Sequence, residues 1–256
     1  MGKTLAVAGK GGVGKTSIAA LIIKSLIESG RKPLLAVDAD SNSNLHEVLG
    51  LPQPRSVGCI REETRKMGEN IPGGMTRDRF MEYQIHAALE ESKDFDFLSM
   101  GRPEGLGCYC AANHILRDVI SQLTSNYSFV VIDNEAGMEH LSRQTEEEIH
   151  HLFIVSDPAP RSLRTVGRIV ELIDELGGRI HDKHLVLNRV EGALEDLPEN
   201  TRREIERLPY QVEALIPDDD QLLTVDLQGN SLLKVADNAP SYKAVKEMLY
   251  GLSILS

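Results

Sequence analysis

Short apolar runs alternate with amphipathic stretches along the chain. The runs Leu5–Ala8, Leu34–Val37, Phe95–Leu98, Phe129–Ile132, Leu152–Val155, His184–Leu187 and Val212–Ile216 are β-branched or apolar, and their length predicts buried parallel strands. Between them, apolar positions recur at helical spacing. This pattern predicts helices over Ser17–Ser29, Asn113–Leu123, Ser142–His150, Ser162–Leu176, Asn200–Leu208 and Tyr242–Leu252. Alternation of strand and helix over a whole chain predicts an α/β fold: a doubly wound, mainly parallel sheet with helices on both faces. In such a sheet the ligand sits at the carboxyl ends of the strands, so the loops leaving them are where chemistry is expected.

Two segments stand apart from this alternation. Residues 61–91 are rich in charge and contain Pro72-Gly73-Gly74, which predicts two short helices around a turn. That excursion reads equally as a solvated decoration or as a docking surface for a client protein. Near the end of the chain Val245, Met248, Leu249 and Leu252 fall at helical spacing and predict a packing face rather than a membrane anchor.

A length of 256 residues with 41% hydrophobic content suits one domain spanning 1–256. No apolar run approaches the roughly 18 residues of a membrane span, and the amino terminus does not read as a leader, which predicts a cytoplasmic protein. The 28 Lys and Arg against 39 Asp and Glu give a net charge of −11, so neither nucleic acid nor an anionic membrane is expected as the main partner. Three cysteines do not make a disulfide framework.

The strongest chemical signal follows the first apolar run. Gly9-Lys10-Gly11-Gly12-Val13-Gly14-Lys15-Thr16 is a phosphate-binding loop. Its glycines let consecutive N–H groups curl around phosphates, Lys15 reaches the β- and γ-phosphates, and Thr16 is placed to ligate Mg²⁺ at the head of a helix that begins with Ser17. Lys10 is an additional lysine at the front of the loop. Its side chain points away from its own loop, toward the phosphates of another chain.

This segment resembles the signature-lysine branch of the P-loop NTPases, which includes the MinD and ParA proteins, the nitrogenase iron protein, the arsenite-pump ATPase and the CooC proteins. The resemblance implies a deviant Walker A loop, Mg²⁺-dependent hydrolysis of ATP to ADP, and a nucleotide-dependent homodimer in which Lys10 crosses the interface like an arginine finger. Asp38-Ala39-Asp40-Ser41-Asn42 resembles switch I, with Asp40 orienting the attacking water. Ser41 replaces a common proline there, and Asn44 stands where the iron protein has an aspartate. Asp133-Asn134-Glu135-Ala136-Gly137 resembles switch II and places Asp133 near the Mg²⁺ shell. Asn188-Arg189 and Ile216-Pro217-Asp218 resemble the walls of the adenine pocket, and the absence of an N-K-x-D motif favours ATP over GTP. The catalytic set expected is therefore Lys10, Lys15, Asp40 and Asp133. The nucleotide-binding set is Gly9, Gly11, Gly12, Val13, Gly14, Lys15, Thr16, Ser17, Asn188, Arg189 and Pro217.

Cys108-Tyr109-Cys110 precedes the helix expected from Asn113. In extended backbone both sulfurs point to one side, and a helix amino terminus favours thiolate. Two thiolates are half of a four-coordinate site, and a two-fold axis would supply the rest, giving a shared site for Ni²⁺ or Zn²⁺. The stretch from Gly101 to Cys110 and the run from Asp133 to Arg143 resemble CooC-type proteins, which implies a nickel cargo and a client enzyme, either carbon monoxide dehydrogenase or the related acetyl-CoA synthase. Two other readings stand beside it: a redox ATPase with a cluster bridging the dimer, and a positioning ATPase without metal chemistry. Cys59 is expected to be a packed side chain, and no metal role is expected for His140, His150, His151, His181 or His184.

Overall fold

A computed structural model of the chain describes residues 2–40, 44–67, 71–101, 121, 123–134, 148–175 and 180–255. Eight strands form one sheet: β1 (Lys3–Gly9), β2 (Leu34–Ala39), β3 (Glu90–Glu91), β4 (Asp96–Ser99), β5 (Phe129–Asn134), β6 (Ile149–Ser156), β7 (Ile180–Asn188) and β8 (Val212–Ile216). Their spatial order is β3-β4-β2-β5-β1-β6-β7-β8. Each pairing is parallel except that of β3 with β4. From β1 the chain lays β2, β4 and β3 to one side, β5 returns to fill the place between β2 and β1, and β6, β7 and β8 run outward on the other side, so the strand order reverses beside β1.

Helices α1 (Lys15–Glu28), α2 (Leu45–Leu49), α3 (Val57–Met67), α4 (Arg77–His86), α5 (Pro160–Glu175), α6 (Glu199–Glu206), α7 (Asp220–Leu227) and α8 (Pro240–Gly251) cover both faces. On one face Ala6, Ile132, Leu152 and Leu185 pack with Val57, Ile60, Met81, Leu163, Val166 and Ile205 from α3, α4, α5 and α6. On the other, Leu5, Val7, Phe97, Val131 and Phe153 pack with Ile18, Ile22, Leu26, Leu45, Tyr242, Val245 and Leu249 from α1, α2 and α8. Sheet residues buried on both sides explain why the central strands read as unbroken apolar runs rather than alternating ones.

Two expectations need correction. The helix expected over Ser142–His150 conflicts with the start of β6, which takes in Ile149 and His150; the alternation that looked helical there belongs in part to a strand that extends three residues beyond its apolar centre on the amino side. Cys59 is exposed rather than packed, because α3 turns Val57, Ile60 and Thr64 inward and leaves Cys59 on the outer side. His151 Nδ1 and His184 Nε2 face each other at 3.1 Å, since β6 and β7 pair in parallel. The two short helices expected within 61–91 are present as the later part of α3 and α4, with a 3-10 turn at Pro72–Gly74 between them.

Candidate functional site

The loop between β1 and α1 is shaped by two glycines that nothing else could replace. Gly9 has φ +151°, and a Cβ there would stand 2.2 Å from the Val155 carbonyl oxygen on β6. Gly14 has φ +92°, and its Cβ would meet Asn188 Nδ2 at 2.4 Å. Gly14 is also the residue that caps α1, so no side chain competes for the first amides, and no acidic residue lies in the first turn. The head of a 14-residue helix is thereby left to an anion. Lys15 is buried, at 7% exposure, and its ammonium reaches back to the Lys10 carbonyl oxygen at 3.3 Å. Lys10 itself is exposed. The two lysines of one loop thus face different surroundings.

Adjacent parallel strands bring the acidic groups together. Register pairs Asp38 on β2 with Asp133 on β5, and both are essentially inaccessible to solvent. Asp38 accepts hydrogen bonds from the Leu45 amide at 2.9 Å and the Asp40 amide at 3.1 Å, which fixes the turn that presents Asp40. Burial pushes the Asp38 carboxyl up to about 6 against the pull of those two amides. Burial likewise raises Asp133 to about 7; the Thr16 hydroxyl, donating to it, and the Lys15 charge work in the opposite direction.

Asp133 Oδ1 is buried without a hydrogen-bond partner. A buried carboxylate oxygen of this kind costs several kcal/mol unless a cation or water meets it. Thr16 and Asp133 form an oxygen-only set beside the phosphate loop, which is the donor chemistry Mg²⁺ requires. The residues fit that ion: Thr16 would hold it directly and Asp133 from its edge, and Mg²⁺ would supply charge neutralisation on the phosphates.

At the far side of the loop, Asn188 ends β7 and donates from Nδ2 to the Val13 carbonyl oxygen at 2.8 Å. Arg189 takes φ +59° and donates from Nη1 to the Gly12 carbonyl oxygen at 3.2 Å. Pro217 follows β8, whose last residue, Ile216, accepts from the Val190 amide at 3.1 Å. Asn188 and Arg189 therefore brace the carbonyls of the phosphate loop, and Pro217 follows Ile216, the strand partner of Asn188.

Comparison with known proteins decides the family. Residues 4–232 match the CobQ/CobB/MinD/ParA nucleotide-binding domain. The chain belongs to that family. It is 42% identical to an uncharacterised ATP-binding protein of Methanocaldococcus jannaschii, over 95% of this chain and 96% of that one. It is 32% identical to the carbon monoxide dehydrogenase accessory protein CooC of Rhodospirillum rubrum, over 68% of this chain and 70% of that one. Among solved structures, the septum site-determining protein MinD of Pyrococcus horikoshii, complexed with Mg-ADP, superposes with a TM-score of 0.70 at 19% identity, covering 100% of this chain and 99% of that one.

The CobQ/CobB/MinD/ParA family is made of nucleotide-binding ATPases, and this chain is a Mg²⁺-dependent ATPase of the MinD/ParA/CooC type. Sequence reading named Lys10, Lys15, Thr16, Asp40 and Asp133 as site residues, but it assigned nothing to Asp38. The signal was present in the pair Asp38-Ala39-Asp40: one member of an acidic i, i+2 pair at a strand end sits on the same side as the other, and only the register with β5 shows that the first of them meets Asp133. Cys108, Cys110 and the switch II residues Glu135–Gly137 lie outside the described residues. Among the described residues, no helix is long and apolar enough to cross a membrane.

Proposed function

We propose that this ATPase is an ATP-dependent metallochaperone that carries nickel, or zinc in its place, between two copies of the chain and assists its insertion into carbon monoxide dehydrogenase or the related acetyl-CoA synthase. The observation that carries this reading is Cys108-Tyr109-Cys110, a thiolate pair two residues apart in a chain that also holds the full phosphate loop. The relatedness to a carbon monoxide dehydrogenase accessory protein supports the choice of client. In the dimer, Lys10 of the partner subunit joins Lys15 at the phosphates, Asp40 orients the attacking water, and Asn188, Arg189 and Pro217 line the adenine site. ATP-driven closure brings the two thiolate pairs together, and hydrolysis parts them so that the cation passes to the client.

The test is an anaerobic Ni²⁺ titration of the reduced protein, followed by thiolate-to-metal charge-transfer absorption. Saturation near one ion per two chains, lost in Cys108→Ser/Cys110→Ser, is the expected result. No cysteine-dependent binding would remove the metallochaperone reading.

A positioning ATPase is the second reading, and relatives named septum site-determining protein MinD favour it. ATP-dependent co-sedimentation with anionic vesicles or DNA would select it. The net charge of −11 speaks against it.

A further inference from the structure

The nucleotide loops occupy the carboxyl ends of the strands, and the amino ends of β6 and β7 carry a different set of groups. Register sets His151 against Asp182 and Phe153 against His184. Because side chains alternate along each strand, these residues share the sheet face that holds Phe153. There, His151 Nδ1 lies 3.1 Å from His184 Nε2, and Asp182 Oδ2 lies 3.7 Å from His151 Nδ1. One donor atom from each of the three falls within 4.8 Å of the others.

A second-layer carboxylate stands behind them. The β7–β8 register slips between Leu185 and Val186, which pair with Val212 and Ala214, so Glu213 is an extra residue in β8. Such a bulge re-aims a side chain. Glu213 Oε2 comes to 3.4 Å from His184 Nδ1, the ring nitrogen that faces away from His151. A carboxylate on the outer nitrogen fixes the ring so that its other nitrogen presents a lone pair, the arrangement found behind metal-bound histidines.

We propose that His151, Asp182 and His184 bind one divalent transition-metal cation, of the zinc or nickel class that imidazole favours, with Glu213 orienting His184. Two nitrogens bound tetrahedrally to one ion at about 2.0–2.1 Å stand roughly 3.3–3.4 Å apart, and the two imidazoles, at 3.1 Å, come within about 0.3 Å of that separation. Both histidines are buried, at 8% exposure each. Asp182 has a side chain 63% exposed and closes the remaining distance by rotation at the solvent edge. Three protein ligands leave a coordination position open, which makes the site exchangeable rather than structural. His151 pairs with Leu5, four residues before Gly9 on β1, so the site lies about 13 Å along the strand from the phosphate loop. None of its proposed ligands is Cys108 or Cys110.

The experiment uses the full, untagged chain as Cys108→Ser/Cys110→Ser, stripped of metal and titrated with Zn²⁺ against a chromophoric chelator and with Co²⁺ by visible absorption. Expected is one ion per chain, with Co²⁺ bands of a nitrogen and oxygen site and no thiolate charge transfer. Asp182→Asn and Glu213→Gln, whose side chains lie toward solvent, each weaken Zn²⁺ binding about 10-fold or more. His184→Gln abolishes it, with folding checked by circular dichroism. Absence of stoichiometric binding in the cysteine variant, or equal affinity in Asp182→Asn and its parent, would overturn the proposal.

Discussion

Asp38 and Asp133 are partners across adjacent parallel strands, and both carboxyl groups are buried at the edge of the phosphate loop. Burial pushes both carboxyl groups up in pKa, and for Asp133 the neighbouring Asp38 charge adds to it. A divalent cation reverses the balance. The Asp133→Asn variant is therefore expected to lose about 100-fold or more in ATP turnover. It should also lose most of the rise in melting temperature that Mg-ATP gives the native protein. Calorimetry with and without Mg-ATP reads the second effect, and an unchanged thermal response would remove Asp133 from the Mg²⁺ shell.

On the proposed reading, the two loop lysines separate binding from catalysis. Lys15 is buried with its ammonium folded onto its own loop, whereas Lys10 is exposed. Lys15→Ala should abolish nucleotide binding. Lys10→Ala should keep ATP affinity within about 3-fold while turnover falls by about 10³ or more, as for a finger acting in trans. Size-exclusion chromatography with ATP should show the variant failing to dimerise. A loss of affinity in Lys10→Ala as deep as in Lys15→Ala would refute the division of labour.

Much of this site was legible before any coordinates. The phosphate loop is contiguous, and its glycines answer to backbone geometry that any reader of sequence can infer; the φ values at Gly9 and Gly14 agree with that demand. The core strands were legible for the same reason, because residues buried on both sides leave apolar runs. What sequence did not show depends on register. Asp38 gains its meaning from Asp133, 95 positions away, and His151 from His184 across one strand pair. Edge strand β3 was invisible because two glutamates carry no strand signal; it exists through pairing with Phe97 and Asp96. Helix α7 was missed because it buries no residue fully and so shows no apolar stripe.

Asn188 offers a graded test of how the loop is braced. Its amide donates to the Val13 carbonyl and sits where a Gly14 side chain would go. Asn188→Ala removes one hydrogen bond worth about 1 kcal/mol, so ATP affinity should fall about 5-fold. Gly14→Ala should be far more damaging, and adding Asn188→Ala should restore little, because φ +92° remains strained for alanine even with the clash gone. Full rescue in the double variant would mean that the clash alone matters.

The clasp between α1 and α8 gives a pH signature remote from the nucleotide. Glu28 accepts from Lys24, from the Tyr242 hydroxyl at 2.5 Å and from Lys246 at 3.1 Å. Partial burial alone would raise its pKa, but the three donors outweigh it and draw the carboxyl from 4.5 down to about 2. A depressed folded pKa means that the native state binds the proton less readily than the unfolded chain. The resulting stability is complete above about pH 4.5 and is lost as pH falls toward 2. With the side chain 28% exposed, solvent screening limits the contribution to the order of 1–2 kcal/mol. Urea unfolding of the native chain and Glu28→Gln should therefore differ by that amount at pH 7, with the gap narrowing between pH 4.5 and 3. A gap constant across that range would show that packing around Tyr242, rather than the charge on Glu28, holds the two helices together.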